Sequence, residues 1–367
     1  MKNVTPNTLT PKSTIRRTIG IIIGCILVVI ARLLFWLYPI ILAPNTAFSE
    51  NKKTLYIRTG ATMEQLVTQL QSEKIVQNID NFKWVSNKMN FQNVKPGKYE
   101  IKKESNTREI VGLLRAGRQT PITITFNGGR TLTDVTRFFG KKLECDSLDL
   151  LQKLQDNSYL QKFHLSKEEA PLLFIPNTYE MYWNTDADKL LAKMNTEYTA
   201  FWNTERKQKA AALGLSSKQV GVLASIVQSE TAKEDEKPIV AGVYLNRLKK
   251  DMKLQADPTV IFALQDFTIR RVLKKMLDTD SPYNTYKYNG LPPGPICVSS
   301  TKSIDAVLNY KAHSYLFFCA KEDFSGYHNF ATTNAEHEKN AKVYQKALTE
   351  YMKAKKLKEK QAKEAAL

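Results

Sequence analysis

A single glutamate, Glu230, stands on an otherwise apolar helix face and is the strongest candidate for chemistry in this sequence of 367 residues. Residues 216–219, Ser-Ser-Lys-Gln, have the pattern of a capping box, which predicts the start of a helix. Glu230 projects from within the apolar stripe that follows, which is formed by Val220, Leu223, Ile226 and Val227. A helix-end residue that reaches solvent is the other interpretation of this position.

A carboxyl group in an apolar setting can act as a general acid and base. Its ionised form is disfavoured there, so its pKa rises and it can donate a proton near neutral pH. Glycoside cleavage depends strongly on such an acid, and hydrolases of that class usually need a second carboxylate. Asp257 and Glu180 are the candidates, although Asp257 precedes a proline and could serve only to form a turn.

If Glu230 acts alone, the nucleophile must come from the substrate. Muramic acid can supply one, because its own 6-hydroxyl can attack the anomeric carbon. The glutamate would first protonate the leaving oxygen and then deprotonate that hydroxyl.

An apolar run at residues 18–43, interrupted by Arg32, is long enough to cross a membrane. Basic and no acidic residues precede it, so the positive-inside rule predicts that residues 1–17 form a cytoplasmic tail and that the rest lies outside. A cleaved signal peptide is the alternative. The sequence favours an uncleaved anchor, since no small-x-small cleavage signal stands at the expected place.

The remaining chain suits two domains. Residues 54–126 alternate strand and helix patterns, with helix caps at Thr62 and Asn106, and predict a small α+β module that resembles glycan-binding modules of the LysM type. Residues 130–350 predict a helix-rich α+β domain, in which residues 314–319 form a strand. Residues 351–367 read as a basic tail. The predicted fold class is therefore α+β with one N-terminal transmembrane helix.

The net charge of +18, from 54 basic and 36 acidic residues, calls for an anionic partner. Nucleic acid would be a usual partner for such a balance, but an extracytoplasmic location argues against it, and an anionic polymer or membrane surface fits better. The four cysteines form neither a disulfide framework nor a metal-type spacing with the four histidines, so we predict no metal and no cofactor.

Five short motifs follow one another between residues 224 and 296. They are Ala224-Ser225-Ile226-Val227-x-x-Glu230-Thr231, Asn246-Arg247-Leu248, Leu254-Gln255-x-Asp257-Pro258-Thr259-Val260, Tyr283-Asn284-Thr285-Tyr286 and Gly290-Leu291-Pro292-Pro293-Gly294-Pro295-Ile296. In this order and spacing they resemble the YceG-like endolytic murein transglycosylases, and the similarity covers most of the chain. Gln228 stands where that family often has glutamate, which leaves Glu230 as the only carboxylate in its motif. Asn177 stands where the family commonly has aspartate, which removes one possible second carboxylate.

The resemblance implies a single-pass protein of the inner (plasma) membrane, whose periplasmic or extracytoplasmic catalytic domain cuts nascent peptidoglycan strands internally. The implied reaction is that of a lyase, which leaves a 1,6-anhydro-muramic end and terminates strand elongation. Penicillin-binding synthases are the implied partners. Glu230 is the implied acid/base, and the residues expected to line the cleft are Asn246, Gln255, Asp257, Thr259, Asn284 and Tyr286. A non-catalytic glycan-binding scaffold for a cell-wall synthase is the alternative.

Overall fold

The chain is described by a computed structural model over residues 11–364, and it forms two compact units. The first unit extends to Ile122 and takes in Met181–Asn184, and the second holds Thr123–Glu180 and the chain from Thr185 onward. Residues 1–10 of the predicted cytoplasmic tail and the last three residues of the predicted basic tail lie outside the described range.

The chain begins with a long apolar helix, α1 (Pro11–Ile41). Its segment Ile15–Ile41 has a mean hydropathy of 2.7 and is long enough to cross a membrane. The helix starts before the predicted anchor and ends two residues before Ala43, with Arg32 exposed along its length. A helix of this kind near an N-terminus is consistent with a single-pass anchor or with a signal sequence.

The first unit is built around one antiparallel strand pair, β1 (Lys52–Ile57) with β2 (Gly97–Lys102), in which Leu55 lies opposite Tyr99. Two helices connect these strands, and a third follows them: α2 (Met63–Ser72), α3 (Ile79–Lys88) and α4 (Thr107–Ala116). Side chains from all five elements form the core, including Leu55, Leu70, Phe82, Tyr99 and Leu114.

Local capping signals explain where the helices of the first unit begin. The capping boxes predicted at Thr62 and Asn106 are present, because each side chain accepts the N3 amide and each N3 side chain accepts the cap amide. The sequence patterns did not predict α3. Its N-cap, Asn78, accepts hydrogen bonds from the amides of Asp80 and Asn81.

The second unit opens with a further two-stranded pair, β3 (Ile122–Phe126) with β4 (Asn177–Met181). We predicted the β3 segment as part of the small module, but it pairs with β4 and not with β1 or β2. Its pairing partner lies some fifty residues further along the chain, where Thr125 and Thr178 share a hydrogen bond of 3.0 Å. Between these two strands the chain forms three helices: α5 (Leu132–Gly140), α6 (Ser147–Gln155) and α7 (Asn157–Leu160). Two more follow β4: α8 (Ala187–Phe201) and α9 (Thr204–Ala212).

The central helix of the second unit is α10 (Ser217–Glu230), which contacts α9 and three later helices: α11 (Lys237–Lys249), α12 (Asp257–Leu264) and α13 (Thr301–Leu308). The predicted capping box of Ser216 and Gln219 starts α10. Every residue from Val220 to Val227 is buried, so the helix packs on all sides and holds its last residue, Glu230, in a fixed position.

A close approach joins α11 to the segment that precedes the next strand. A Cβ atom on Gly242 would lie 2.7 Å from the carbonyl oxygen of Lys311, so only glycine fits there. The amide of Lys311 donates to the carbonyl of Pro238 over 3.0 Å.

The chain ends with a hairpin and a long helix. Strands β5 (Phe317–Ala320) and β6 (His328–Ala331) are antiparallel, and α14 (Asn334–Glu364) packs against both. This helix continues through residue 351, so the described part of the predicted basic tail is an extension of α14 and not a separate segment.

Candidate active site

Glu230 is the last residue of α10, and its side chain is half-buried. The hydroxyl of Tyr244 on α11 donates a hydrogen bond of 2.5 Å to Oε1 of this glutamate. Tyr244 is only 2% exposed, and its ring packs edge-on against Phe318 of β5. The carboxyl group is therefore oriented by a donor that the core itself holds in place.

Burial is the main influence on the acidity of Glu230. The surroundings together raise the pKa of this carboxyl from 4.5 to about 7, with burial as the largest cause and the negative charge of Asp257 acting in the same direction. The Tyr244 hydrogen bond and the charge of Arg247 lower the pKa but do not outweigh burial. The C-terminal end of a helix also disfavours a negative charge. A pKa near 7 lets one carboxyl group both give and take a proton at neutral pH.

A second tyrosine–carboxylate pair lies close to Glu230. The hydroxyl of Tyr286 donates to Oδ1 of Asp257, the first residue of α12, over 2.5 Å. Burial raises the pKa of both Tyr244 and Tyr286 above the ordinary value for a phenol. Both hydroxyls therefore remain protonated donors at neutral pH.

Arg247 joins the strands and loops around these carboxyl groups. It is 7% exposed, its Nε donates to the carbonyl of Leu316 over 2.6 Å, and its Nη1 donates to the carbonyls of Lys253 and Leu254. The same Nη1 donates to Oε1 of Gln255 over 3.2 Å. Gln255 has a backbone φ of 53°, an uncommon conformation for a residue other than glycine, and Arg247 supports the loop that adopts it.

These groups face one cleft of about 370 Å³ within the second unit. Its walls come from α10, α11, the loop before α12, the β5–β6 hairpin and the start of α14. They are formed by Glu230, Tyr244, Arg247, Leu254, Gln255, Asp257, Tyr286, Phe317, Phe318, Cys319, Ala320, His328, Asn334 and His337. Of the seven site residues predicted from sequence, four therefore lie together: Glu230, Gln255, Asp257 and Tyr286.

The other three predicted residues are not among those that line this cleft. Asn246 donates to the carbonyls of His313 and Tyr315 and so fixes the segment before β5. Thr259 is fully buried, where it donates to the carbonyl of Ala256. Asn284 is also fully buried and donates to the carbonyls of Leu277 and Thr279. Each side chain satisfies backbone groups and supports the cleft from behind.

The two candidates for a second carboxylate differ in position. Asp257 lines the cleft, whereas Glu180 is exposed on β4 and is not among the residues around Glu230. Gln228 faces away from the cleft as well. Its Oε1 accepts the amide of Ser300 over 2.6 Å, and its Nε2 donates to the carbonyl of Val298. Gln228 thus fastens α10 to the segment before α13.

A second cavity, of about 430 Å³, is lined in part by Ser229, which precedes Glu230, and by Pro258, which follows Asp257. Phe262 and Phe267 contribute aromatic surface to it, and the guanidinium of Arg130 lies 5.0 Å from the ring centre of Phe267. Ser229 and Pro258 adjoin Glu230 and Asp257 in the sequence, so this cavity and the cleft are lined by neighbouring residues of the same two segments.

Several residues of the cleft were missed by the sequence analysis. Tyr244 and Arg247 lie on either side of Asn246 in the sequence, and their aromatic and charged side chains at i and i+3 on α11 were a usable signal. His328 and His337 gave no such signal, because they enter the cleft lining from the hairpin and from α14, which lie about a hundred residues beyond Glu230 in the chain.

The fold and the site together define a helix-rich α+β protein whose cleft holds a carboxyl group with a raised pKa. A model of the YceG-like family matches residues 55–343, and the chain belongs to this family. Its overall fold is similar to that of a crystallised YceG-like protein from Listeria monocytogenes, with 28% identity and a TM-score of 0.52 over 79% of this chain and 99% of that one.

Two curated relatives carry a more specific name. The chain is 27% identical over 328 residues to the endolytic murein transglycosylase of Bacillus subtilis, across 83% of this chain and 88% of that protein. It is 26% identical over 333 residues to the protein of the same name from Streptococcus pneumoniae, across 82% of this chain. The chain spans only 59% of the length of the pneumococcal protein.

Proposed function

We propose that this protein is an endolytic lytic transglycosylase that cuts the glycan strands of peptidoglycan, with Glu230 as its acid and base. The observation that carries the proposal is the carboxyl of Glu230, whose pKa of about 7 and hydrogen bond to Tyr244 suit it to proton transfer in a cleft. The names of the relatives supply the substrate class.

The reaction follows from one carboxyl group and a substrate with its own nucleophile. Protonated Glu230 gives its proton to the glycosidic oxygen as the bond from the muramic acid anomeric carbon to the N-acetylglucosamine oxygen breaks. The muramic acid 6-hydroxyl attacks that carbon, and ionised Glu230 accepts the hydroxyl proton. The products are a 1,6-anhydro-muramic end and a free 4-hydroxyl, and no water is consumed.

Asp257 has a supporting role in this scheme. Its negative charge raises the pKa of Glu230, which favours the protonated form that must start the reaction. The hydrogen bond that Tyr286 donates to Asp257 fixes the position of this charge in the cleft. Two cavities lined by neighbouring residues of the segments that carry Glu230 and Asp257 suit an enzyme that binds a long strand, as the endolytic mode requires.

The location and the partners belong to the same proposal. The apolar segment Ile15–Ile41 serves as an uncleaved anchor, with the N-terminus in the cytoplasm and the catalytic unit outside. The small first unit binds glycan as a LysM-like module does. Cutting of nascent strands beside a penicillin-binding synthase then terminates their elongation.

The test is digestion of uncrosslinked glycan strands by the full chain in detergent, followed by mass spectrometry of the products. Wild type, Glu230→Gln and Glu180→Gln are compared, because Glu180 is an exposed carboxylate outside the cleft. We expect internal fragments with 1,6-anhydro-muramic ends from wild type and Glu180→Gln, and none from Glu230→Gln.

Two other outcomes would contradict the proposal. Fragments with ordinary reducing ends would identify a hydrolase, in which Asp257 would be the second carboxylate. Strands left intact by wild type, in an assay where a control enzyme cuts them, would favour a glycan-binding scaffold for a cell-wall synthase.

A further inference from the structure

A buried carboxylate that the proposed reaction does not use lies just beyond the catalytic helix. Glu236, which precedes α11, is 3% exposed. Its Oε1 accepts the backbone amide of His328 over 2.7 Å, and its Oε2 contacts Nδ1 of the same residue over 2.8 Å. One carboxylate thus holds both the backbone and the ring of a histidine that lies 92 residues away in the chain.

The ring of His328 is fixed in a wall of the same cleft as Glu230. It stands edge-on to Phe318, with ring centres 5.2 Å apart, and Phe318 stands edge-on to Tyr244, which bonds Glu230. The imidazole is 15% exposed, so part of its edge is open to the cleft.

The contact with Glu236 determines which ring nitrogen carries the proton. An ionised carboxylate can only accept a hydrogen bond, so Nδ1 of His328 must be the protonated nitrogen. In the neutral ring, Nε2 is then a hydrogen-bond acceptor. Within residues 11–364, no hydrogen bond to Nε2 of His328 is present.

A structural clamp alone would not need an imidazole. The backbone amide of residue 328 would satisfy one carboxylate oxygen whatever the side chain, and an asparagine or glutamine amide could donate to the other. A buried carboxylate that fixes a histidine tautomer at the edge of a cleft is the arrangement that orients a functional imidazole.

We propose that His328 contacts the substrate, with its Nε2 accepting a hydrogen bond from a sugar hydroxyl of the bound glycan, and that Glu236 is the positioning residue that fixes this tautomer. The inference rests on the proposed function, which supplies a glycan as the ligand. A hydroxyl is the fitting group because a neutral Nε2 accepts hydrogen bonds and hydroxyls are the donors that sugars offer in number.

The sharpest variant is Glu236→Gln, which keeps the shape of the side chain. The glutamine oxygen can still accept the amide of His328, but its NH₂ group donates to Nδ1 and moves the ring proton to Nε2. His328→Asn is the complement, because its amide can keep the contact with Glu236 while Nε2 is lost. Glu234→Gln is the matched control, since this nearby carboxylate is 51% exposed and forms its ion pair with Lys237 and not with His328.

Binding is measured without turnover in the Glu230→Gln background, by calorimetry on the full chain in detergent with a GlcNAc–MurNAc hexasaccharide. We expect Glu236→Gln and His328→Asn each to weaken binding about tenfold, as loss of one hydrogen bond predicts. We expect Glu234→Gln to bind like its parent. Nitrogen-15 NMR should detect the proton on Nδ1 in the parent and on Nε2 in Glu236→Gln. Melting temperatures should stay within about 3 °C of the parent, because both variants keep the contact between residues 236 and 328, so a loss of affinity would reflect the lost contact with the ligand.

The outcomes separate this inference from the proposed function. Unchanged affinity in both variants would overturn the role of His328, even if wild type makes anhydro ends. If wild type cuts no glycan but both variants lose hexasaccharide affinity, the contact of His328 stands and the lyase does not. Absence of hexasaccharide binding by the parent would overturn both. If Glu236→Gln fails to fold, His328→Asn decides the question by the same measurement.

Discussion

The Tyr244 hydroxyl and Oε1 of Glu230 lie 2.5 Å apart, although fourteen residues and a change of helix separate them in the chain. This bond lowers a pKa that burial and the charge of Asp257 raise. The pKa of Glu230 therefore depends on one neighbour that lowers it, Tyr244, and one that raises it, Asp257, and each of these side chains can be replaced alone.

Tyr244→Phe should move the alkaline limb of the pH–rate profile upward. The variant keeps the ring against Phe318 but removes the hydrogen bond that lowers the pKa of Glu230. The carboxyl then stays protonated to higher pH. The measurement is kcat/KM for glycan cleavage as a function of pH, and a limb that moves downward would contradict the assignment of Glu230 as the acid.

Asp257→Asn should move the same limb in the opposite direction. The nearby negative charge raises the pKa of Glu230, so its removal lowers that pKa and leaves less of the acid form at neutral pH. We expect a lower rate at pH 7 together with a limb shifted to lower pH. Asp323→Asn is the control, because it removes an exposed charge in a turn. An equal shift in the control would mean that the effect is only one of net charge.

Glu230→Gln should stabilise the fold at alkaline pH. The pKa of Glu230 is raised from 4.5 to about 7, so ionisation of this carboxyl costs stability as the pH rises between those values. At pH 8 the variant should be more stable by as much as about 3 kcal/mol, and below pH 4.5 the difference should vanish. Urea denaturation of wild type and variant at pH 4 and pH 8 provides the comparison. A variant that is less stable at pH 8 would show that Glu230 is not destabilised by burial.

Arg247→Leu should be strongly destabilising. The substitution leaves the carbonyls of Lys253, Leu254 and Leu316 without their hydrogen-bond donor. In the wild type, these hydrogen bonds offset the cost of burying the guanidinium charge. We expect a loss of roughly 3–5 kcal/mol of unfolding free energy in urea. Lys249→Met on the exposed side of the same helix is the control, and a similar loss there would point to the helix and not to the hydrogen bonds.

Local signals in the sequence were sufficient for part of this structure. The capping boxes at Thr62, Asn106 and Ser216 depend on residues three apart, and all three start helices as predicted. The apolar stripe of α10 likewise placed Glu230 on a helix of known phase. Such patterns are visible in a sequence because the interacting residues are close in the chain.

The rest depends on contacts between distant residues. The pairing of β3 with β4 and the arrival of His328 beside Phe318 are set by packing, which no local pattern encodes. The motif residues Thr259 and Asn284 show a further limit. A motif marks positions with special requirements, but it does not say whether a side chain serves the ligand or, as for these two, the backbone.

The close packing at Gly242 also bears on how the cleft can move. Because Gly242 has no side chain, α11 can lie close to the segment before β5. The hydrogen bonds that Asn246 donates to the carbonyls of His313 and Tyr315 also join this segment to α11. These contacts fix the segment before β5 to α11, and we expect them to limit how far the hairpin wall can move. A wall that is already ordered loses little conformational entropy when a sugar arrives. On the proposed function, a glycan should then enter and leave this wall without the slow opening of a gate.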